Sequence, residues 1–214
     1  MLKQEIIDRA MKTDPAQVGH FLPSGYMDPR IKPIDPSFKV IGPAYTVRCN
    51  GNDNSTVYYA MSQAAPGSVL VIDRMGNDKI ACAGEMSVMN AQAYGLAGIV
   101  VDGAVTDTPQ IKELGLPVFA VTSAAVACSL KYRDGEVNVP VQCGGCVVNP
   151  GDIVFGNADG MIVCPPDEFE HWLEKAEEAD VTEVKWRAHF RAGGHLDDLY
   201  PIKEEVEKRL GIRK

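Results

Sequence analysis

Two acidic residues occupy positions where carboxylate chemistry is plausible on spacing alone. Glu85 lies in Gly84-Glu85-Met86-Ser87, where a loop enters a helical segment, and Asp107 follows Thr106 just past the apolar run Gly98-Ile99-Val100-Val101-Asp102. A helix start leaves backbone amides unpaired at the positive end of the helix dipole, so residues 84 to 87 offer a seat for a carboxylate or phosphate. Successive strand-to-helix loops of a β-α-β unit open on one sheet edge, which would set Glu85 and Asp107 on one cleft. The same acids also suit plain helix capping, because a negative charge in the first turn complements the dipole.

Other reactive side chains are weaker signals. Arg74, after the run Val69 to Asp73, opens on the same edge and could line the cleft as a cation, with Lys79 as a second candidate. Asp53-Asn54 precedes a helix and suits its N-cap better than ligand contact. Cys143-Gly144-Gly145-Cys146 has the spacing of a zinc or redox site, but a single such pair with no histidine nearby favours packed thiols. His20, His171, His189 and His195 are far apart in the chain, and only His195 is a candidate for a site shared between subunits. Trp172, Trp186 and Phe190 suit anchors for C-terminal helices rather than a cofactor box.

The elements that must position these groups can be read from periodicity. Residues 1 to 12 carry an amphipathic pattern through Leu2, Ile6, Ile7 and Ala10. Pro15, Pro23, Pro29, Pro33 and Pro36 then predict an irregular wrap up to Pro43, since proline removes amide donors and breaks helices. A strand is expected over Ala44-Tyr45-Thr46-Val47, and a helix from Ser55 or Thr56 toward Ala65. Further strands are expected at 68–73, 98–102 and 117–121, with helices at 85–94 and 107–114 between them. Continuous apolar strands alternating with helices indicate parallel pairing, both faces covered and right-handed crossovers. Beyond Tyr132, short strands and glycine turns (Gly144-Gly145, Pro150-Gly151, Asp159-Gly160) indicate an added antiparallel or mixed β layer. From Pro166 onward the chain reads as charged helix, interrupted at Gly193-Gly194 and Pro201.

Composition narrows the class. The chain has 214 residues, 45% of them hydrophobic and 23% charged, which suits one globular domain: an N-terminal helix and wrap to residue 40, a core over 41–165, and C-terminal helices over 166–214. A net charge of −8, with no basic run, argues against nucleic acid as a direct partner. No stretch is apolar enough to cross a bilayer, and Met1-Leu2-Lys3-Gln4-Glu5 lacks the order of a signal peptide, so a cytoplasmic protein with no membrane partner is expected. The six cysteines then read as buried thiols of a reducing compartment.

Several of these motifs together resemble the RraA-like family. They are Gly42-Pro43-Ala44 with Thr46-Val47, Asp53-Asn54, Pro66 to Asp73, Gly84-Glu85, Gly95 to Asp107, and Gly144-Gly145 through Pro150-Gly151-Asp152 to Asp159-Gly160. The likeness spans about residues 14 to 170. It implies an α/β/β sandwich resembling the swivelling phosphohistidine domain, with N- and C-terminal helical extensions, assembled as a trimer or a pair of trimers. It also implies one of two functions. One is a Mg²⁺- or Mn²⁺-dependent lyase that acts as a 4-hydroxy-4-methyl-2-oxoglutarate aldolase or an oxaloacetate decarboxylase; the other is a regulator of ribonuclease activity with no reaction of its own. In the first, the small 2-oxo acid would sit on Gly84, Glu85, Met86 and Ser87, with Asp107 as metal ligand, Thr106 shaping the pocket and Glu85 managing a proton. The family's active aldolases place an arginine immediately before the metal aspartate, where this chain has Thr106.

Overall fold

The computed structural model describes residues 2–133 and 135–212, so Met1 and the last two residues of the predicted C-terminal helical stretch lie outside the described residues. In chain order the elements are α1 (Gln4–Ala10), α2 (Pro15–Gly19), β1 (Lys32–Pro33), β2 (Val40–Arg48), α3 (Ser55–Gln63), β3 (Val69–Asp73), α4 (Glu85–Ala93), β4 (Gly98–Val105), α5 (Thr108–Leu114) and β5 (Val118–Ser123). There follow β6 (Glu136–Val137), β7 (Val141–Cys143), β8 (Cys146–Val148), β9 (Ile153–Gly156), β10 (Met161–Cys164), α6 (Pro166–Arg191), a 3₁₀ turn (Leu196–Asp198) and α7 (Ile202–Leu210). The result is a mixed α/β fold.

Strands β2, β3, β4 and β5 pair in parallel, in the spatial order β5-β4-β3-β2, with Ala44 opposite Val69 and Val69 opposite Gly98. β3 is buried along its whole length, as a central parallel strand covered on both faces should be. α3 buries Val57, Ala60 and Met61 and α4 buries Val88 and Ala91, in one core with the strand residues Val71, Ile72, Val100 and Val101. Each such buried valine, isoleucine or methionine side chain contributes roughly 1.5–3 kcal/mol relative to exposure.

The predicted irregular wrap from Thr13 to Pro43 is corrected at both ends. Pro15 starts α2, because proline at the first helical position gives up an amide that has no partner there. β2 begins at Val40, upstream of Gly42-Pro43. Its first half pairs antiparallel with β9 (Val40 with Gly156) and its second half parallel with β3, so Pro43 falls where the partner changes. Gly42 is required in that strand, since a Cβ there would stand 2.4 Å from the Gly67 carbonyl oxygen.

The antiparallel strands do not form one separate layer. β9 and β10 extend the main sheet through β2, whereas β7 and β8 make a two-stranded hairpin that contacts β2, β3 and β4. Gly144 and Gly145, both at positive φ, form its turn, as a two-residue hairpin loop demands. α1, α2 and α6 bury Ile6, Ala10, Val18, Phe169 and Leu173 against Ile153 and Phe155 of β9. Arg9 fixes α1 to α6 by ion pairs to Glu177 (2.8 Å) and Glu170 (3.2 Å). The two terminal extensions are thus one packed unit at the β9–β10 end of the sheet.

Candidate functional site

The carboxyl ends of β3 and β4 deliver the loops that carry the predicted residues. Gly84 is the N-cap of α4, and Asp107 is the N-cap of α5. The Asp107 carboxylate reaches back across the gap: Oδ2 accepts a hydrogen bond from the Glu85 backbone amide at 3.0 Å, and Oδ1 accepts one from Thr106 Oγ1 at 3.2 Å. Asp107 takes left-handed backbone angles (φ 55°, ψ 39°), a conformation more tolerable for aspartate than for most residues with a side chain. Gly84 makes this approach possible, because a Cβ there would lie 2.4 Å from Asp107 Oδ2 and 2.7 Å from Thr106 Cγ2.

Beside this contact is a cavity of about 250 Å³. Gly84, Met86, Ser87, Thr106 and Asp107 line it, together with Asn54, Tyr58, Cys82 and Cys128. Four of the predicted pocket residues and the predicted metal ligand are therefore gathered in one place. The Glu85 side chain is not in the lining; what Glu85 contributes to the cavity edge is its amide, already taken by Asp107. The amides of Met86 and Ser87 remain the first-turn donors facing that edge.

Arg74 is placed elsewhere than the cleft wall. Its side chain is wholly buried and donates to the carbonyl oxygens of Gly51 (2.6 Å), Cys49 (3.2 Å) and Ile80 (3.4 Å), with Cys49 Sγ at 3.2 Å and Cys128 Sγ at 3.6 Å. The reason is steric as well as electrostatic: Gly103 of β4 has no Cβ, and one would come within 2.6 Å of Arg74 Cγ. The guanidinium stem therefore drops into the sheet edge and its head is held by loop carbonyls. Lys79 is exposed and also outside the lining. Among the described residues, no lysine or arginine lines the cavity.

Two lining residues, Tyr58 and Asn54, carry polar groups that the sequence reading did not assign to the pocket. Tyr58 and Ser87 are joined by a hydroxyl–hydroxyl hydrogen bond of 3.1 Å. Asn54 Oδ1 is buried without a hydrogen-bond partner among the described residues, an arrangement that costs free energy unless a ligand or water supplies a donor. Asp53 does the capping instead. It accepts from the Ser55 amide (2.9 Å) and hydroxyl (2.6 Å) and from the amides of Lys131 and Arg133, which hold its carboxyl below the usual range. The available signal was the Asp-Asn pair itself: one cap is enough, which frees the second residue.

The remaining candidates fall away from the cavity. Cys143 and Cys146 face each other across the β7–β8 hairpin, and burial pushes both thiols up. The His195 amide donates to Asp198 Oδ2 at 2.7 Å, and His189 sits 3.1 Å from the same oxygen, a local closure of the turn after α6. Trp186 packs edge-on against Tyr200, and Trp172 packs against the core shared by α1, α2 and α6.

Comparison with known proteins gives a consistent result. A family model described as RraA-like (aldolase/RraA) matches residues 6–163. A protein of Halalkalibacterium halodurans named "Putative 4-hydroxy-4-methyl-2-oxoglutarate aldolase" is 42% identical over 180 residues, 84% of this chain and 83% of that protein. The crystal structure of Streptomyces coelicolor RraAS2, described as an unusual member of the RNase ES inhibitor RraA family, superposes with a TM-score of 0.76 at 26% identity, covering 87% of this chain and 97% of that one. The RNA-processing inhibitor RraA of a Thermus species superposes with a TM-score of 0.64 at 28% identity, over 71% of this chain and 92% of its own. With three quarters of its length under one family model and a relative this similar, the chain belongs to the RraA-like family.

Proposed function

We propose that the cavity beside Asp107 is the site of a divalent-metal-dependent carbon–carbon lyase. Its substrate would be a small 2-oxo acid such as 4-hydroxy-4-methyl-2-oxoglutarate or oxaloacetate. The observation that carries this reading is the Asp107 carboxylate, fixed from two sides at the edge of a pocket whose other wall is a helix start.

The donor set suits Mg²⁺ or Mn²⁺. Asp107 offers hard oxygen, each atom with a lone pair beyond the one used by Glu85 or Thr106, and burial keeps the Cys82 and Cys128 thiols protonated and poor as ligands. No group of three or more histidine, cysteine or acidic side chains converges among the described residues. Asp107 would therefore hold the ion alone, the rest of its shell coming from water and from the substrate's own oxygens. When bound, the ion supplies a Lewis acid for the enolate charge left by cleavage next to the carbonyl.

The chain's own residues bind and orient. The Met86 and Ser87 amides, at the positive end of α4, receive the substrate carboxylate, with Ser87 Oγ as a further donor. Asn54 Oδ1 accepts from a substrate hydroxyl, and Tyr58 fixes the Ser87 hydroxyl rotor. Thr106 closes the pocket next to Asp107. Glu85 manages the proton from the rim through water, since its side chain stands outside the lining. The test is pyruvate release from oxaloacetate or hydroxylated oxoglutarate with Mg²⁺. Turnover above the metal-only rate that is lost in Asp107→Ala is expected. Turnover equal to the metal-only rate with each substrate would refute the reading, and an Asp107→Ala variant with full activity would refute the assignment of Asp107.

A second reading, a binding protein that regulates a ribonuclease without turnover, draws support from one feature: Thr106 and the rest of the lining put no positive side chain beside the reacting carbonyl. Co-precipitation with a ribonuclease, accompanied by inhibition, would favour it. Under either reading we propose a cytoplasmic homotrimer or dimer of trimers. Exposed Val181, Val184 and Tyr200 on the C-terminal segment are available for such contacts, and light scattering in solution tests the mass.

A further inference from the structure

The cavity beside Asp107 offers one seat for an anion and one for a hydroxyl. The anion seat is the start of α4, where the Met86 and Ser87 amides lack helical partners. The hydroxyl seat is Asn54. This residue is the N-cap of α3, yet its side chain makes no capping hydrogen bond, because Asp53 holds the Ser55 amide and hydroxyl instead. Asn54 Oδ1 is thereby left in the cavity wall, buried and without a partner among the described residues. An amide oxygen only accepts, so this atom calls for an O–H or N–H donor and is unfavourable beside a carboxylate.

A second anionic group on the ligand would find no counter-charge in the lining. The Arg74 guanidinium is turned to the carbonyls of Cys49, Gly51 and Ile80, and the Lys131 ammonium is held by the Asn52 side chain. Lys79 and Arg133 are exposed and stand outside the lining. The charges that do border the cavity are negative: Asp107 within it and Glu85 at its rim. Ala81, Ala83 and Ala127 contribute apolar surface to the same wall. At about 250 Å³ the cavity falls below the ~300–1,000 Å³ of pockets for drug-sized ligands, so its guest is small and its far end meets these groups. A carboxylate there gives up hydration for an acceptor oxygen, alanine methyls and like charges, which is costly, whereas a methyl group loses nothing of the kind.

We propose that the preferred substrates of this site are 4-hydroxy-2-oxo acids with a single carboxylate and a neutral substituent at C4. This rests on the lyase reading and narrows it, since diacids fit less well. The reaction balances with no further reactant. The C1 carboxylate sits on the Met86 and Ser87 amides, and Asn54 Oδ1 accepts from the 4-hydroxyl on binding. The hydroxyl then turns its proton to a water at the rim and gives it up toward Glu85. Its oxygen forms a carbonyl with C4, the C3–C4 bond breaks, and the electron pair of that bond passes to C3 as the pyruvate enolate. The enolate takes one proton back at C3, so pyruvate and an uncharged aldehyde leave. Asn54 is the residue that sets specificity at C4.

The experiment compares two acids that differ only in the group on C4: 4-hydroxy-2-oxopentanoate, which carries a methyl, and 4-hydroxy-2-oxoglutarate, which carries a carboxylate. Pyruvate release by the full chain with Mg²⁺ gives kcat/KM for each, divided by the metal-only rate constant of the same acid. The pentanoate is expected to exceed the glutarate by about tenfold or more. In Asn54→Lys, where a cation replaces the acceptor, that ratio should fall by at least about tenfold. A wild type that turns over the glutarate with a ratio under tenfold overturns the proposal and leaves the lyase reading standing. Neither acid turned over above its metal-only rate overturns both. A folded Asn54→Lys with the wild-type ratio overturns the role of Asn54, and the wild-type ratio decides the substrate class even if that variant fails to fold.

Discussion

Replacing Gly84 with alanine tests the geometry of the site with a single methyl group. The backbone at Gly84 is extended (φ −157°, ψ −160°), so alanine brings no conformational strain. The new Cβ would stand 2.4 Å from Asp107 Oδ2, well inside the 3.0 Å that real contacts of this kind respect. Contact is restored only if the carboxylate withdraws by about 1 Å, a distance that breaks the 3.0 Å bond from the Glu85 amide. A hydrogen bond to a charged group is worth about 1.5–3 kcal/mol, and because Asp107 is exposed and can turn to water, the low end applies to stability. Activity should suffer more, since a misplacement of about 1 Å at reacting groups costs roughly 10²-fold. Two measurements follow. Denaturant unfolding should show a loss of about 1.5 kcal/mol, and Mg²⁺-dependent pyruvate release should fall about a hundredfold. Independently of turnover, the Glu85 amide proton, hydrogen-bonded to Asp107 in the wild type, should exchange with solvent faster in Gly84→Ala. An alanine variant whose Glu85 amide exchanges no faster, with unchanged Mg²⁺ dependence, would refute the account of the site.

Three further outcomes are expected. Thr106→Arg places a fixed charge at the pocket and, on the lyase reading, should raise turnover by roughly 10²- to 10³-fold in the pyruvate assay; no gain in a well-folded variant would favour the regulatory reading. Arg74→Met removes the guanidinium donor to the carbonyls of Cys49 and Ile80, while Gly51 keeps the Asn77 side-chain amide, and should cost about 1–3 kcal/mol in urea unfolding; it should also return the Cys49 thiol from about 7 toward the ordinary value, read from thiolate absorbance against pH. The Asp53 carboxyl is held low by the Ser55 hydroxyl and amide and by two loop amides, so its contribution is fully present above the usual carboxylate pKa of about 4 and is lost as pH falls below it. Asp53→Asn should therefore reduce stability at neutral pH and flatten the acid limb of the stability curve, measured by thermal unfolding at successive pH values.

How far these residues were legible from sequence follows from the range of the interaction that places each one. β3 and β4 announce themselves because a central parallel strand needs apolar side chains on both faces, and the loops after them must then open on one edge. That rule alone brought Glu85 and Asp107 together across 22 positions of chain. What it could not say is which atom of Glu85 makes the contact. The amide does so because Gly84, an N-cap without a Cβ, lets Asp107 approach. β2 was read short because Gly42-Pro43 looks like a break. Locally it is one, but the strand changes partner there, from β9 to β3, and the missing amide is no loss.

Arg74 is the instructive failure. A lone arginine after a strand belongs at the surface on any local argument, since burying a charge without an ion pair carries a large penalty. Its burial depends on three things distant in sequence: a glycine at 103, carbonyls at 51 and 80, and sulfurs at 49, 82 and 128. Each carbonyl is an ordinary acceptor, but only the fold gathers them: with the Cys49 carbonyl they make three acceptors beside two sulfurs. The cysteines, read individually as small packed hydrophobes, are buried at 49, 82, 143 and 164; Cys49 also touches the Arg74 guanidinium, a contact visible only in the fold. The consequence for the site is directional. The positive charge that the sequence suggested for the pocket is turned away from it, behind Cys82 and Cys128, and is spent on the wall. Any charge stabilisation of a reacting carbonyl must then come from the helix start at Met86 and Ser87 and from whatever Asp107 holds, which is why Gly84, the residue that sets the distance between them, is the most sensitive position in the site.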